Sequence, residues 1–280
     1  MQVINIGGVP EHFNIHWHIF FQNAKNSFPE FDFRWIDYST GTGAMMKDLN
    51  EGKLDLAITL TEGTISMISE GFNAKILDFY VNSPLLWGIH TPCKSIIDIN
   101  DIFNHKFGIS RFGSGSHLMP KIHAKSLGKS LNDEQFVVVN NLNGALEAFS
   151  RGDCEVFYWE KFTTMPFVGE NGFQCIGYFP SPWPCFVVSC NPDFAKNHNK
   201  LIKKIIEELQ IQISSTSKSS LIEPIVEKYR LEKQHVQKWI EEVEWNVSNQ
   251  NLELKISNTI NQLIEYGILK TKPSIDDIIL

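Results

Sequence analysis

Residues 108–117 read Gly-Ile-Ser-Arg-Phe-Gly-Ser-Gly-Ser-His. The apolar run from Phe107 to Ser110 predicts a strand, and the pattern from Leu118 to Leu127 predicts a helix. A Gly/Ser loop between the two has a chemical consequence. Glycine lets a backbone approach a ligand closely, and serine offers a hydroxyl and a helix cap. A helix start adds free N–H groups and partial positive charge, which suits an anion. Ser110, Ser114, Gly115, Ser116 and His117 are therefore candidate anion contacts, with plain capping as the alternative. No Lys follows the last Gly, so this is not a phosphate-cradling P-loop; the dinucleotide fingerprint and the GxSxG nucleophile elbow are also absent.

Working outward, the chain alternates strand and helix. Strands are expected at Val3 to Ile6, Phe31 to Ile36, Leu54 to Leu60, Lys75 to Val81 and Leu85 to His90. Helices are expected from His12 to Asn26, Ala44 to Asn50 and Thr64 to Ser69. A second series brings strands at Phe136 to Val139, Cys154 to Trp159, Cys175 to Phe179 and Cys185 to Cys190, with a helix at Ala145 to Ser150. Such alternation with short Gly turns implies βαβ units and a mainly parallel sheet. Residues 43–57 and 144–157 echo each other: a small-residue turn, a helix, a Gly stop at Gly52 or Gly152, then a buried strand. Each strand leads to a carboxylate, Glu62 or Glu160, where the ligand crevice of an open α/β sheet lies. Either acid could accept from a ligand amine; helix-dipole support or an ion pair is the structural alternative. Ser39-Thr40-Gly41-Thr42-Gly43 is a weaker counterpart of the 108–117 loop.

The echo favours two lobes of the same construction. Ser83-Pro84-Leu85-Leu86-Trp87-Gly88 and Ser181-Pro182-Trp183-Pro184-Cys185-Phe186 bracket the second series as candidate hinge strands, with Pro84, Trp87, Pro182 and Trp183 at the crossings. The expected division is residues 1–86 plus 187–280 for one lobe and 87–186 for the other. Trp87, Trp159 and Trp183 are candidate pocket walls, although core packing is the commoner fate of Trp. After Pro192 the chain reads as amphipathic helices: Leu201 to Gln212, Leu221 to Tyr229 with Pro224 in its first turn, Gln234 to Val243 and Leu252 to Tyr266.

Composition narrows the function. The 280 residues are 42% hydrophobic and 20% charged, enough for a sizeable core. A net charge of −7 argues against nucleic acid or an anionic membrane as partner. No apolar run approaches the roughly 18 residues of a membrane span. Five cysteines (Cys93, Cys154, Cys175, Cys185 and Cys190) form neither a disulfide framework nor a CxxC pair. His12 and His16 have i, i+4 spacing but lack HExxH and a third ligand, so no metal is expected. Met1-Gln2 runs straight into an alternating segment, without the basic and apolar regions of a signal peptide. The expectation is a cytoplasmic protein with free thiols; the alternative is a periplasmic or lipoprotein form trimmed of its leader.

Gly41-Thr42-Gly43-Ala44-Met45, Leu54-Asp55-Leu56-Ala57, Ser83-Pro84-Leu85-Leu86-Trp87-Gly88, Gly108-Ile109-Ser110-Arg111 and Trp159-Glu160 resemble type II periplasmic-binding-like proteins, the solute-binding components of ABC importers. The nitrate/sulfonate/taurine group and the thiamine-pyrimidine-precursor group are the most similar. The resemblance covers about Val3 to Asn191. It implies two α/β lobes joined by two crossover strands and closing on a ligand. It places ligand contacts at Gly8, Val9 and Pro10; Gly41, Thr42 and Gly43; Thr61 and Glu62; Ser110, Ser114, Gly115 and Ser116; and Trp159 and Glu160. The function so implied is non-catalytic binding of a small anionic or zwitterionic solute such as a sulfonate, taurine, phosphate or carboxylate, without a cofactor. The partner implied is that solute, with an ABC importer if the protein is exported; a monomer is expected. The alternative is binding or synthesis of a thiamine-type pyrimidine precursor. The Cys-rich motif of the fungal enzymes of that group is missing here, which lowers the enzyme reading.

Overall fold

A computed structural model describes residues 1–169, 172–248 and 250–280. The chain divides into two compact units, Met1–Ser83 with Trp183–Leu280, and Pro84–Pro182.

In the first unit, strands β1 (Gln2–Gly8), β2 (Phe31–Asp37) and β3 (Leu56–Leu60) are parallel, with β1 central. The end of the long strand β8 (Phe173–Cys190) runs antiparallel beside β3, pairing Leu56 with Cys190 and Leu60 with Phe186. Ile4, Ile6, Leu56 and Ile58 are fully buried. Helices α1 (Ile15–Ser27), α2 (Thr42–Asn50) and α3 (Thr61–Ser69) make the connections. Gly52, at φ +68°, turns the chain from α2 towards β3 in a conformation that suits glycine.

The second unit repeats the plan. Strand β5 (Phe107–Ile109) is central and parallel to β6 (Phe136–Val138) and β7 (Val156–Glu160). The long strand β4 (Lys75–Pro92) runs antiparallel beside β7, pairing Trp87 with Glu160 and His90 with Phe157. Helices α4 (Gly115–Ser126), α5 (Leu142–Arg151) and the short α6 (Lys161–Thr164) follow the strands. Gly152 (φ +73°) stops α5 as Gly52 stops α2, so the echo in the sequence is an echo in structure. Phe149, Cys154, Phe157 and Phe173 form a core under α5.

Several boundaries differ from the sequence expectation. The segments 75–81 and 85–90 are one strand, and so are 175–179 and 185–190. Residues 82–84 read as a gap between two strands, but the strand runs on through them, from buried Val81 to buried Leu85 and Trp87. The Leu85 N–H after the proline finds a partner in Ser181 Oγ (2.9 Å). Helix α3 starts at Thr61 rather than Thr64, and α4 at Gly115 rather than Leu118, so Glu62 and Gly115–His117 sit in first helical turns. Residues 12–14 form a 3₁₀ turn ahead of α1.

The C-terminal helices are α7 (Pro192–Ser215), α8 (Lys218–Tyr229), α9 (Lys233–Glu242), α10 (Leu252–Glu265) and α11 (Ile275–Ile278). Pro224 lies inside α8, not in its first turn: Ser217 caps the helix earlier, accepting from Ser220 N. The tail packs in the first unit, where Ile278 is fully buried and Ile279 bridges to Ile76.

Asn191 ties this helical segment to α2. Its Oδ1 accepts from Asp193 N and Phe194 N, both at 3.0 Å, while its Nδ2 donates to the Leu49 carbonyl at 2.7 Å. Asn191→Ala loses a cap and a buried hydrogen bond to the Leu49 carbonyl. The expected cost is about 2 kcal/mol of unfolding free energy. Urea denaturation measures it; a loss below roughly 0.5 kcal/mol, the scatter of surface substitutions, would contradict this role.

Candidate functional site

The start of α4 is the most developed polar site among the described residues. Ser114 is the N-cap position. Its hydroxyl donates to the Arg111 carbonyl at 2.7 Å. A hydroxyl has one proton, so the 3.0 Å contact between Ser114 Oγ and Ser116 Oγ is donated by Ser116. By the same count the 3.3 Å contact between Ser110 Oγ and Ser116 Oγ is donated by Ser110, and Ser116 Oγ also accepts from Ser110 N (2.9 Å). The three hydroxyls therefore spend their protons on one another and on the backbone. They shape the loop. The donors left over are the N–H groups of Gly115 and Ser116, which by position have no intrahelical acceptor, and the ring of His117.

His117 is buried, 7% exposed, between the rings of Phe112 and Phe136 at 5.1 and 4.7 Å. Its Nδ1 accepts from Gly113 N at 3.0 Å, which puts the proton of the neutral ring on Nε2. Nε2 is buried and has no partner. Burial, helped by the nearby Lys121 charge, lowers the ring's pKa to about 4, so near neutral pH the ring is uncharged and Nε2–H is a donor. A buried donor without acceptor is costly, and a ligand oxygen would relieve it.

Across the strands, Trp87 of β4 stands directly opposite Glu160 of β7. Glu160 is 5% exposed and caps α6: Oε1 accepts from Phe162 N (3.0 Å), and Oε2 from Thr163 N (2.7 Å) and Thr163 Oγ1 (2.6 Å). Burial raises its pKa while these donors oppose the shift. Trp159, its neighbour in sequence, goes to the other face of the sheet, stacked on Phe157 at 5.1 Å within the core under α5. The structure brings together Ser110, Ser114, Gly115, Ser116 and His117, and pairs Glu160 with Trp87; it sets Trp159 apart from Glu160, because side chains alternate along a strand.

In the first unit, Glu62 lies in the opening turn of α3, 2% exposed, and its Oε2 accepts from Trp183 Nε1 at 2.8 Å. Burial raises its pKa to about 7. Thr61 Oγ1 donates to the Pro184 carbonyl (2.6 Å), and Thr42 Oγ1 accepts from Leu60 N (2.9 Å), which brings the Gly41–Gly43 turn to the start of α3. Gly41 is at φ +77°. The Gly8-Val9-Pro10 loop is held by Asn14, whose Nδ2 donates to Val9 O at 2.8 Å. Pro84 and Pro182 are the terminal residues of the second unit, and Trp183 opens the returning part of the first.

His12 and His16 are core histidines. His12 lies edge-on to Trp239 (4.1 Å), and His16 bonds Gln212 Oε1 (2.9 Å). Burial lowers them to about 3 and about 4. Among the described residues no cluster of His, Cys, Asp or Glu could hold a metal ion, and no helix is long and apolar enough to cross a membrane. The five cysteines are free thiols.

Residues 87–179 match a family described as Ca3427-like PBP, a group of periplasmic binding proteins. No curated protein matches the chain in sequence. Three solved structures are similar over nearly the whole length. The Candida albicans CA3427 gene product, described as having the generic periplasmic binding protein fold, is 24% identical with a TM-score of 0.87, covering 100% of this chain and 96% of that one. The periplasmic aliphatic sulphonate binding protein SsuA from Escherichia coli is 16% identical with a TM-score of 0.76, covering 100% and 97%. PhnD1 from Prochlorococcus marinus, in complex with methylphosphonate, is 11% identical with a TM-score of 0.61, covering 96% and 99%. At these identities the likeness is one of fold. Twice-repeated α/β units, two long strands shared between them and these neighbours lead to one statement: the chain has the type II periplasmic-binding-protein fold, and residues 87–179 match the Ca3427-like pattern.

Proposed function

We propose that the protein binds a small anionic or zwitterionic solute, with a sulfonate, phosphonate, phosphate or carboxylate group held at the start of α4. The observation that carries this is the His117 Nε2–H, a buried neutral donor without an acceptor in the first turn of a twelve-residue helix. Backbone N–H groups and the helix dipole add to it. Sulphonate binding by SsuA and the methylphosphonate complex of PhnD1 support the ligand class. In an exported form the partner is an ABC importer. In a cytoplasmic form it is a free monomeric receptor; cell fractionation separates the two.

Isothermal titration calorimetry and thermal shift against methanesulfonate, taurine, methylphosphonate, inorganic phosphate and acetate test the proposal. A ligand at 100 times its Kd is expected to stabilise the fold by about 2.7 kcal/mol. His117→Phe keeps a ring between Phe112 and Phe136 but removes the donor, so affinity is expected to fall about tenfold or more. Absence of binding by the whole panel would sink the reading.

A further inference from the structure

We infer that Trp87, placed by the sequence at a hinge, is a ligand-contacting residue that sets specificity at the α4 start; this rests on reading that start as an oxyanion site. Trp87 is 5% exposed, yet its indole Nε1 is buried and has no hydrogen-bond partner. Most buried indole N–H groups find one. Its position explains the exception. A methyl group built on Gly115, the first residue of α4, would stand 2.4 Å from Trp87 Cη2 and 2.6 Å from Cζ2. Cζ2 is joined to Nε1 through Cε2, so the six-membered ring lies against the helix start with the orphan N–H one carbon beyond the contact. Only glycine leaves room for the ring there.

The site then has two uncharged side-chain donors, Trp87 Nε1–H and His117 Nε2–H, beside the free backbone N–H groups of the first turn. An indole N–H has no acceptor lone pair, and in the neutral His117 ring Nδ1 is already taken by Gly113 N. Neither of these two rings offers an acceptor to a ligand. The ligand class that fits is an oxyanion presenting at least two acceptor oxygens.

Trp87→Phe tests this. An aromatic ring stays on β4, while the N–H and the outer indole carbons that meet Gly115 are lost. In the ligand-free protein the loss of an unsatisfied buried donor offsets part of the packing lost with the smaller ring, so the melting temperature is expected to fall by no more than about 4–8 °C. Affinity for methanesulfonate, or for whichever oxyanion of the panel binds most tightly, is expected to fall about tenfold or more, as for a lost hydrogen bond to a charged group. In ¹H–¹⁵N spectra the indole resonance missing from Trp87→Phe should move downfield in the wild type when that anion is added. Unchanged affinity in the variant, or an indole resonance that does not move, overturns the assignment and leaves the oxyanion reading standing. Failure of the wild type to bind any of the anions overturns both.

Discussion

Glu62→Gln is expected to stabilise the protein at pH 8 by up to about 3 kcal/mol and to leave it unchanged near pH 4.5. Glu62 is almost completely buried, its Oε2 accepts from Trp183 Nε1–H, and burial raises its pKa from 4.5 to about 7. Between those values the folded state keeps a proton that the unfolded state has released. Folding stability therefore falls as pH rises from about 4.5, and the full cost is present above about 7. A tenfold difference in proton affinity between folded and unfolded states corresponds to about 1.4 kcal/mol, which sets the scale. Glutamine has the same shape and never ionises, so it escapes the cost while its carbonyl still accepts from Trp183. His12, His16, His18, His90 and His117 act in the opposite sense. Burial depresses all five to about 3 or 4, so their contribution is lost as pH falls from about 6.5. The measurement is therefore the difference between variant and wild type, from urea titrations at several pH values. A difference that stays flat from about pH 4.5 to 8 would rule out an ionising Glu62.

Gly144→Ala is expected to destabilise the second unit by about 3 kcal/mol or more. Gly144 is the third residue of α5, and Asn141 Oδ1 caps its N–H at 3.0 Å. An added methyl would lie 1.9 Å from the Val139 carbonyl oxygen and 3.0 Å from its carbon. Those are backbone atoms in a tight turn: Val139 N donates to Ile109 O, Asn141 N donates to Val139 O, and Asn140 sits at φ +66°. No rotamer change relieves the clash, so the turn between β6 and α5 must open. Losses of this size come from such overpacking and backbone strain. Chemical denaturation should show a lower midpoint with an unchanged slope. A cost under about 1 kcal/mol would mean that the turn can move aside.

The fold class was legible because its signals are local. Strand-helix alternation, the glycine stops at Gly52 and Gly152, and the Gly/Ser loop at 108–117 are read within a few residues. The places where expectation and structure part are also physical. Pro84 and Pro182 read as the starts of hinge strands, yet each lies inside one longer strand. Pro224 reads as a first-turn residue of a helix starting at Leu221, yet α8 begins three residues earlier because Ser217 provides the cap. Trp159 and Glu160 form one motif in sequence but project to opposite faces.

The candidate site divides along the same line. The residue types at the α4 start, and their suitability for an anion, followed from a Gly/Ser loop ahead of a helix. Which groups are free to bind did not. The serine hydroxyls turn out to be committed to one another and to the backbone, and the free donors are His117 Nε2 and Trp87 Nε1. Backbone sterics and side-chain periodicity act over three or four residues, so the sequence by itself determined strands, helices and the class of fold. Whether a buried polar group is paired depends on residues far away along the chain, such as Trp183 reaching Glu62 across 121 positions or Trp87 lying on Gly115. That was decided only when the tertiary structure brought them into contact.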